Sequence, residues 1–253
     1  MRLLYPNQFT YPIISRLLLI WVFPMIRAVV FDCDGVLSDN GSSWEMIHKK
    51  FGTAVDDGGK HQKTLEMFLD GKITEEEFVA HDIQLWREVS PNIHRDDIMR
   101  CYSGVGLIKG ARNVVEELQQ RGIFVGIVSS GVDIFVGTIA NMLKVDDWVA
   151  NGFEWDEDGW LVSGLPTRVL SHDKGLMVEK LARINGFAAS EIVSVGDSAT
   201  DLSMMIDGSY FIGFNPRRDR ARLAFEEAGV PVVEGKDLGL IWSHIFPGEN
   251  ISN

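Results

Sequence analysis

Short apolar runs, of the length buried strands need, alternate along this chain with stretches whose apolar residues recur at helical spacing. Ile26–Phe31 reads as a first strand, Gly122–Ser129 as a second and Ile192–Val195 as a third. Shorter candidates follow at Tyr210–Gly213 and Val230–Val233. Helical periodicity runs over about Ala111–Gln120, Val132–Leu143, Lys174–Asn185 and Arg217–Ala228. Strands that alternate with helices predict an α/β fold: a doubly wound parallel sheet, three layers deep, with helices on both faces.

Two regions break the alternation. From about Asn40 to Ser103 no strand pattern is convincing, and apolar residues fall instead at helical spacing: Trp44, Ile47, His48 and Phe51, then Leu65, Phe68 and Leu69, then Phe78, Ile83 and Trp86. Thr74, followed by Glu75, Glu76 and Glu77, has the form of a helix start, with a capping residue and acids in the first turn. This stretch predicts a helical insertion at residues 40–103. The core is then built from residues 25–39 and 104–253. The second break is Trp148–Leu161, where Asp156-Glu157-Asp158-Gly159 lies between two apolar runs and reads as a β-hairpin turn.

The chain has 253 residues, 45% hydrophobic and 24% charged, which suits a globular fold with a substantial core. Its formal net charge of −12 leaves little basic surface and argues against a nucleic-acid partner. An anionic substrate would have to be drawn by local features: a metal, a lysine or helix N-termini. The two cysteines, Cys33 and Cys101, lack metal-ligand spacing and read as reduced thiols of a cytoplasmic protein. The apolar stretch at residues 13–23 is interrupted by Arg16 and closed by Pro24. It falls short of the ~20 residues a membrane span needs, and it lacks the cleavage site of a signal peptide. Met25 stands just before the first strand, so residues 1–24 read as an extension outside the fold.

Candidate chemistry sits where an open parallel sheet binds its ligands, at the carboxyl ends of the strands. The first strand ends in Asp32-Cys33-Asp34-Gly35. Residues two apart on a strand share a face, so Asp32 and Asp34 stand together while Cys33 points away. Paired carboxylates repel unless a cation or a proton lies between them. The second strand ends in Ser129-Ser130-Gly131 before a helix, and the third in Gly196-Asp197-Ser198-Ala199-Thr200-Asp201. Lys174 begins the helix that precedes the third strand. Each feature alone has a plain explanation as a turn, a cap or a surface charge. Together they suit phosphoryl transfer. A carboxylate nucleophile would attack phosphorus and form an aspartyl-phosphate, and Asp34, held near Asp32, would act as general acid and base. Mg²⁺ takes oxygen ligands, here the carboxylates of Asp32 and Asp197 and the carbonyl of Asp34. Ser129, with the backbone N–H groups of Ser130 and Gly131, and Lys174 would hold the phosphate oxygens.

As a set, Asp32-x-Asp34-Gly35-Val36, Ser129-x-Gly131, Lys174 and Gly196-Asp197-x-x-x-Asp201 resemble the haloacid-dehalogenase-like phosphohydrolases. The helical insertion, the hairpin after Ala150-Asn151 and Asp173-Lys174-Gly175 are similar to the phosphoserine-phosphatase-like branch. The resemblance implies a Rossmann-like core with an inserted helical-bundle cap, Mg²⁺ as cofactor and a small phosphorylated metabolite as substrate. It implies Asp32 as nucleophile, Asp34 as general acid/base, Asp197 as metal ligand, Asp201 as a supporting acid, and Ser129 and Lys174 as phosphate binders. The chain departs from that branch at substrate-reading positions. Leu37–Gly41 holds no glutamate, the nearest being Glu45; Phe78–Asp82 holds no arginine; and Thr200 stands where an asparagine is common.

The leading expectation is a Mg²⁺-dependent phosphomonoester hydrolase. A phosphotransferase or mutase of the same chemistry, and a catalytically silent phosphate-binding protein, are the alternatives. The histidines, His48, His61, His81, His94, His172 and His244, show no shared metal-ligand spacing. Trp44, Phe51, Phe68, Phe78 and Trp86 read as the core of the insertion.

Overall fold

The computed structural model describes residues 25–53 and 59–251. The expected extension at residues 1–24 lies outside the described residues. Strand β1 (Ala28–Phe31) leads into four helices, α1 (Ser43–Phe51), α2 (Lys60–Leu69), α3 (Glu75–Val89) and α4 (Arg95–Cys101). The chain returns through α5 (Ala111–Gln120), β2 (Phe124–Val132), α6 (Asp133–Leu143) and β3 (Asp147–Asn151). A two-stranded hairpin follows, β4 (Phe153–Trp155) and β5 (Leu161–Gly164). The remainder is α7 (Gly175–Asn185), β6 (Ile192–Gly196), β7 (Tyr210–Phe214), α8 (Asp219–Glu227), β8 (Val232–Val233) and α9 (Trp242–Ile245). Among the described residues no helix is long and apolar enough to cross a membrane.

The main sheet has six strands in the order β3-β2-β1-β6-β7-β8, all pairs parallel. Period-two alternation divides its two faces. Val29 and Phe31 of β1 pack with Val114 and Leu118 of α5, Val136 and Ile139 of α6, and Trp242 of α9. Ala28 and Val30 face the other way, onto Val178 and Leu181 of α7 and Phe225 of α8. The chain order reverses on either side of β1, so the central switch point lies between β1 and β6, where Asp32 and Asp197 emerge.

Two strand readings need correction. β2 does not stop at Ser129 but continues to Val132, with a register shift between Val128 and Val132 that sets Ser129-Ser130-Gly131 in an irregular stretch. Trp148 does not open the hairpin; it belongs to β3, a parallel edge strand whose first residues are exposed. That exposure gave the segment the half-polar look of a hairpin arm. The hairpin itself is present at β4 and β5, turning through Asp156–Gly159.

The helices from α1 to α4 fill the predicted insertion, yet their core is shared with the hairpin. Ile47, Ile83, Trp86, Ile93 and Ile98 pack with Phe153 and Leu161, and Trp44 and Phe51 flank the cluster. Phe68 and Phe78 lie outside it and stack on each other, with centroids 5.0 Å apart. The first turn of α3 behaves as its sequence predicts: Thr74 and Glu77 form a reciprocal capping box. Its neighbouring acids reach further. Glu75 accepts from the backbone N–H and hydroxyl of Ser171, and Glu76 from the N–H of Thr167, which ties α3 to the loop leading to Lys174.

Candidate active site

Asp32 and Asp34 leave the end of β1, and the chain then turns sharply at Gly35. Gly35 has φ +81°, in the left-handed region, and a Cβ there would collide with the carboxylate of Asp197. A bare Cα lets the tips of β1 and β6 approach. Lys174, at the N-terminal boundary of α7, is buried and reaches both tips. Its Nζ donates to Asp32 Oδ1 at 2.8 Å and to Asp201 Oδ1 at 2.6 Å. The second oxygen of Asp201 accepts from the N–H groups of Asp197 and Ser198 and from the Ser198 hydroxyl. Asp201 is therefore fully engaged in holding Lys174 and the Asp197 loop. Carboxylate oxygens of Asp32, Asp197 and Asp201 lie within 4.8 Å of one another.

Asp34 is held differently. Its Oδ1 accepts from Asn40 Nδ2 at 2.7 Å, and its Oδ2 from the N–H and hydroxyl of Ser43 at 2.9 and 2.7 Å. Ser43 is the first residue of α1, so the side chain of Asp34 caps that helix's positive end. The Ser43 hydroxyl also accepts from the Val132 N–H at 2.9 Å, which joins Asp34 to the end of β2. Gly131 allows this approach, because a Cβ there would come within 2.6 Å of Ser43 Oγ and 2.7 Å of Asp34 Oδ2. Ser129 is buried, and its Oγ accepts from the Gly131 N–H at 3.1 Å. The sequence pattern aims that N–H at a phosphate; in this structure it organises the turn. The Ser130 carbonyl accepts from Trp44 Nε1 at 3.0 Å.

The electrostatics are those of an acidic centre with too few cations. Burial pushes the Asp32 carboxyl up to about 7, against the opposing pull of Lys174. Burial, then Asp201 and Asp32, push Asp197 well above the carboxylate range, with only Lys174 and Arg217 opposing. Burial would lower Lys174, but Asp201 and Asp32 beside it win and raise it, so its ammonium stays charged. Asp32 and Asp201 pair with the ammonium of Lys174, the one buried lysine among the described residues, which must offset the charge of Asp197 as well. A hard, oxygen-seeking dication fits this donor set and would relieve the crowding of Asp32 against Asp197. The side chain of Asp34 is not among these crowded carboxylates, since Asn40 and Ser43 hold it.

A cavity of about 660 Å³ opens beside Asp197, lined among others by Gly41, Glu45, Leu69, His172, Thr200 and Arg217. A Cβ on Gly41 would stand 3.4 Å from Arg217 Nη1 and 3.9 Å from Glu45 Oε2. The absence of a side chain at Gly41 thus leaves room between a guanidinium and a carboxylate. Asn40, Ser43 and Arg217 were not singled out from the sequence. The local signal for Ser43 was the Ser42-Ser43 pair opening a helix nine residues after Asp34.

A parallel sheet whose switch point gathers a carboxylate pair, a buried lysine and a second acidic loop defines a phosphoryl-transfer α/β protein. The profile of the haloacid dehalogenase-like hydrolases matches residues 26–208, and the chain belongs to that family, in its phosphoserine-phosphatase-like branch. It is a phosphoric monoester hydrolase by that membership. The phosphoserine phosphatase of Methanocaldococcus jannaschii is 27% identical over 220 residues, covering 87% of this chain and 97% of that protein. That of Lactococcus lactis is 30% identical over 189 residues, covering 74% and 82%. A solved phosphoserine phosphatase described as a substrate-bound complex is similar with a TM-score of 0.70 at 26% identity, covering 87% of this chain and 98% of that one. A phospho-aspartyl intermediate analogue of phosphoserine phosphatase has the same TM-score at 27% identity, covering 87% and 99%.

Proposed function

We propose that the protein is a Mg²⁺-dependent phosphatase that hydrolyses a small phosphomonoester through an aspartyl-phosphate on Asp32. The observation that carries this reading is the meeting of Asp32, Lys174 and Asp197, with Asp34 held apart from them by Asn40 and Ser43. Asp32 and Asp197, with the carbonyl of Asp34, would hold Mg²⁺, which when bound neutralises charge on the phosphate oxygens.

Asp32 attacks phosphorus, and the bond to the leaving alkoxide breaks. Asp34 supplies a proton to that leaving oxygen. It then takes a proton from the water that attacks phosphorus in the second step, freeing phosphate and Asp32. Lys174 and the Ser129 hydroxyl bind the non-bridging oxygens as negative charge redistributes. Lys174 also favours the ionised form of Asp32, which burial opposes. The insertion at residues 40–103, a cap over the core of residues 25–39 and 104–253, would seclude the leaving group in the cavity beside Asp197. The relatives are phosphoserine phosphatases by name. Here the leaving group would meet Arg217, Glu45 and His172, so phosphoserine is one candidate among small phosphorylated metabolites.

The experiment is a panel of phosphomonoesters, phosphoserine included, assayed with and without Mg²⁺ on the wild type and on Asp32→Asn. Mg²⁺-dependent phosphate release that disappears in Asp32→Asn supports the reading. Undiminished release by Asp32→Asn overturns it.

A further inference from the structure

A second cluster of ligating side chains lies in the helical insertion, away from the acidic centre. His48 of α1, His61 of α2 and Asp82 of α3 bring one ligating atom each within 4.8 Å of one another. His48 and Asp82 are fully buried, and His61 is partly buried, with 18% of its side chain exposed. The two imidazole rings lie 3.8 Å apart, centroid to centroid. His61 Nδ1 is 2.9 Å from Asp82 Oδ1, and His48 Nε2 is 3.0 Å from Asp82 Oδ2.

A second observation points to a missing occupant. Among the described residues, five buried side-chain polar atoms lack a hydrogen-bond partner. Three of the five meet at this place: His48 Nε2, Asp82 Oδ2 and His81 Nδ1. His48 Nε2 and Asp82 Oδ2 are close but misaligned for a hydrogen bond. His81 Nδ1 stands 3.9 Å from Asp82 Oδ1. His48 Nε2 and Asp82 Oδ2 have only each other, at 3.0 Å and poorly aligned, and buried polar atoms so weakly satisfied suit a place where an ion can bind. Two imidazoles and a carboxylate are the donor set of Zn²⁺ and its first-row neighbours, not of Mg²⁺.

We propose that His48, His61 and Asp82 form a second metal site, for Zn²⁺ or a similar late first-row dication, that clamps α2 to α1 and α3. With Nε2 on a metal, His48 Nδ1 would carry the ring proton and Thr53 Oγ1, 2.8 Å away, would accept it, at the cost of the hydrogen bond that Trp86 Nε1 donates to Nδ1. The rival occupant is a proton on His48 Nε2, which Trp86 Nε1 favours by donating to Nδ1 at 3.2 Å. A clamp would matter because α2 buries no residue fully. Yet α2 supplies Leu69 to the cavity beside Asp197, and its Phe68 ring packs 5.5 Å from that of His172.

The test uses the full chain, stripped of metal by chelator and titrated with Co²⁺ and Zn²⁺. Nitrogen-ligated, low-symmetry Co²⁺ gives strong visible bands that an all-oxygen acidic centre does not. The wild type should show them at one equivalent, and Zn²⁺ should displace them. They should persist in Asp197→Asn, which weakens the acidic centre, and vanish in His61→Gln while Mg²⁺-supported phosphatase turnover verifies that the variant is folded. Absence of the bands in the wild type overturns the proposal whatever the variants do. So does their survival in His61→Gln or their loss in Asp197→Asn, while an intact phosphatase would leave the proposed function standing.

Discussion

Ser43 donates two hydrogen bonds to one oxygen of Asp34, from its backbone N–H at 2.9 Å and its hydroxyl at 2.7 Å. The first residue of α1 thereby fixes the carboxylate proposed to move protons. Removing the hydroxyl keeps the backbone contact but loses two hydrogen bonds, the one to the Asp34 carboxyl and the one from the Val132 N–H, a change of about 1.5–3 kcal/mol. Ser43→Ala should therefore lower kcat by roughly 10- to 100-fold, with little change in KM. Steady-state kinetics on the preferred phosphomonoester check this, and an equal effect on KM alone would place Ser43 in substrate binding instead.

Gly35 is needed for its left-handed φ of +81° and for the closeness of Asp197. Gly35→Ala should cost about 1–3 kcal/mol of stability through backbone strain. It should also push the Asp197 carboxylate out of line. The expected outcome is a raised Mg²⁺ concentration for half-maximal activity together with a lowered thermal midpoint.

Arg217 is exposed, lies beside the notch left by Gly41 and acts on the charge of Asp197 from the open side of the cavity. Arg217→Ala should raise KM for esters whose leaving group carries a carboxylate by about tenfold, the worth of one charge-assisted contact. Esters of neutral alcohols should respond less. Comparing KM across the two ester classes measures the difference.

Asp82 gives a pH prediction with a definite sign. Burial would raise its carboxyl, but His48 and His61 beside it hold it below the ordinary value of 3.8. A carboxyl with a depressed folded value stabilises the fold above its unfolded value, and that contribution is lost as pH falls through the folded value. Asp82→Asn should cost about 1–3 kcal/mol near pH 7, the penalty for leaving its buried histidine partners poorly satisfied. The gap between wild type and variant in urea denaturation should close below pH ~4.

Much of this architecture is written locally. Ala28–Phe31 is a continuous apolar run with its acids just beyond, and the burial of all four residues follows from that pattern. Asp32, Lys174, Asp197 and Asp201 were legible because each sits at a strand end or helix start, and topology brings such places together. What escaped was long-range. Ser43 looks like an ordinary helix start, and only the fold aims it at Asp34. His48, His61 and Asp82 lie on three helices with no ligand spacing between them, so nothing short of the packing reveals their meeting. The strand at Trp148 is hidden from the sequence because an exposed edge strand loses the apolar continuity that marks its neighbours.

The most direct test is to quench turnover with acid and map the phosphorylated residue by mass spectrometry. The account predicts one phosphoryl group on Asp32, absent from Asp32→Asn and accumulating when the second step is slowed. Phosphate found on Ser129, or on any other side chain, or never found while turnover proceeds, would contradict it.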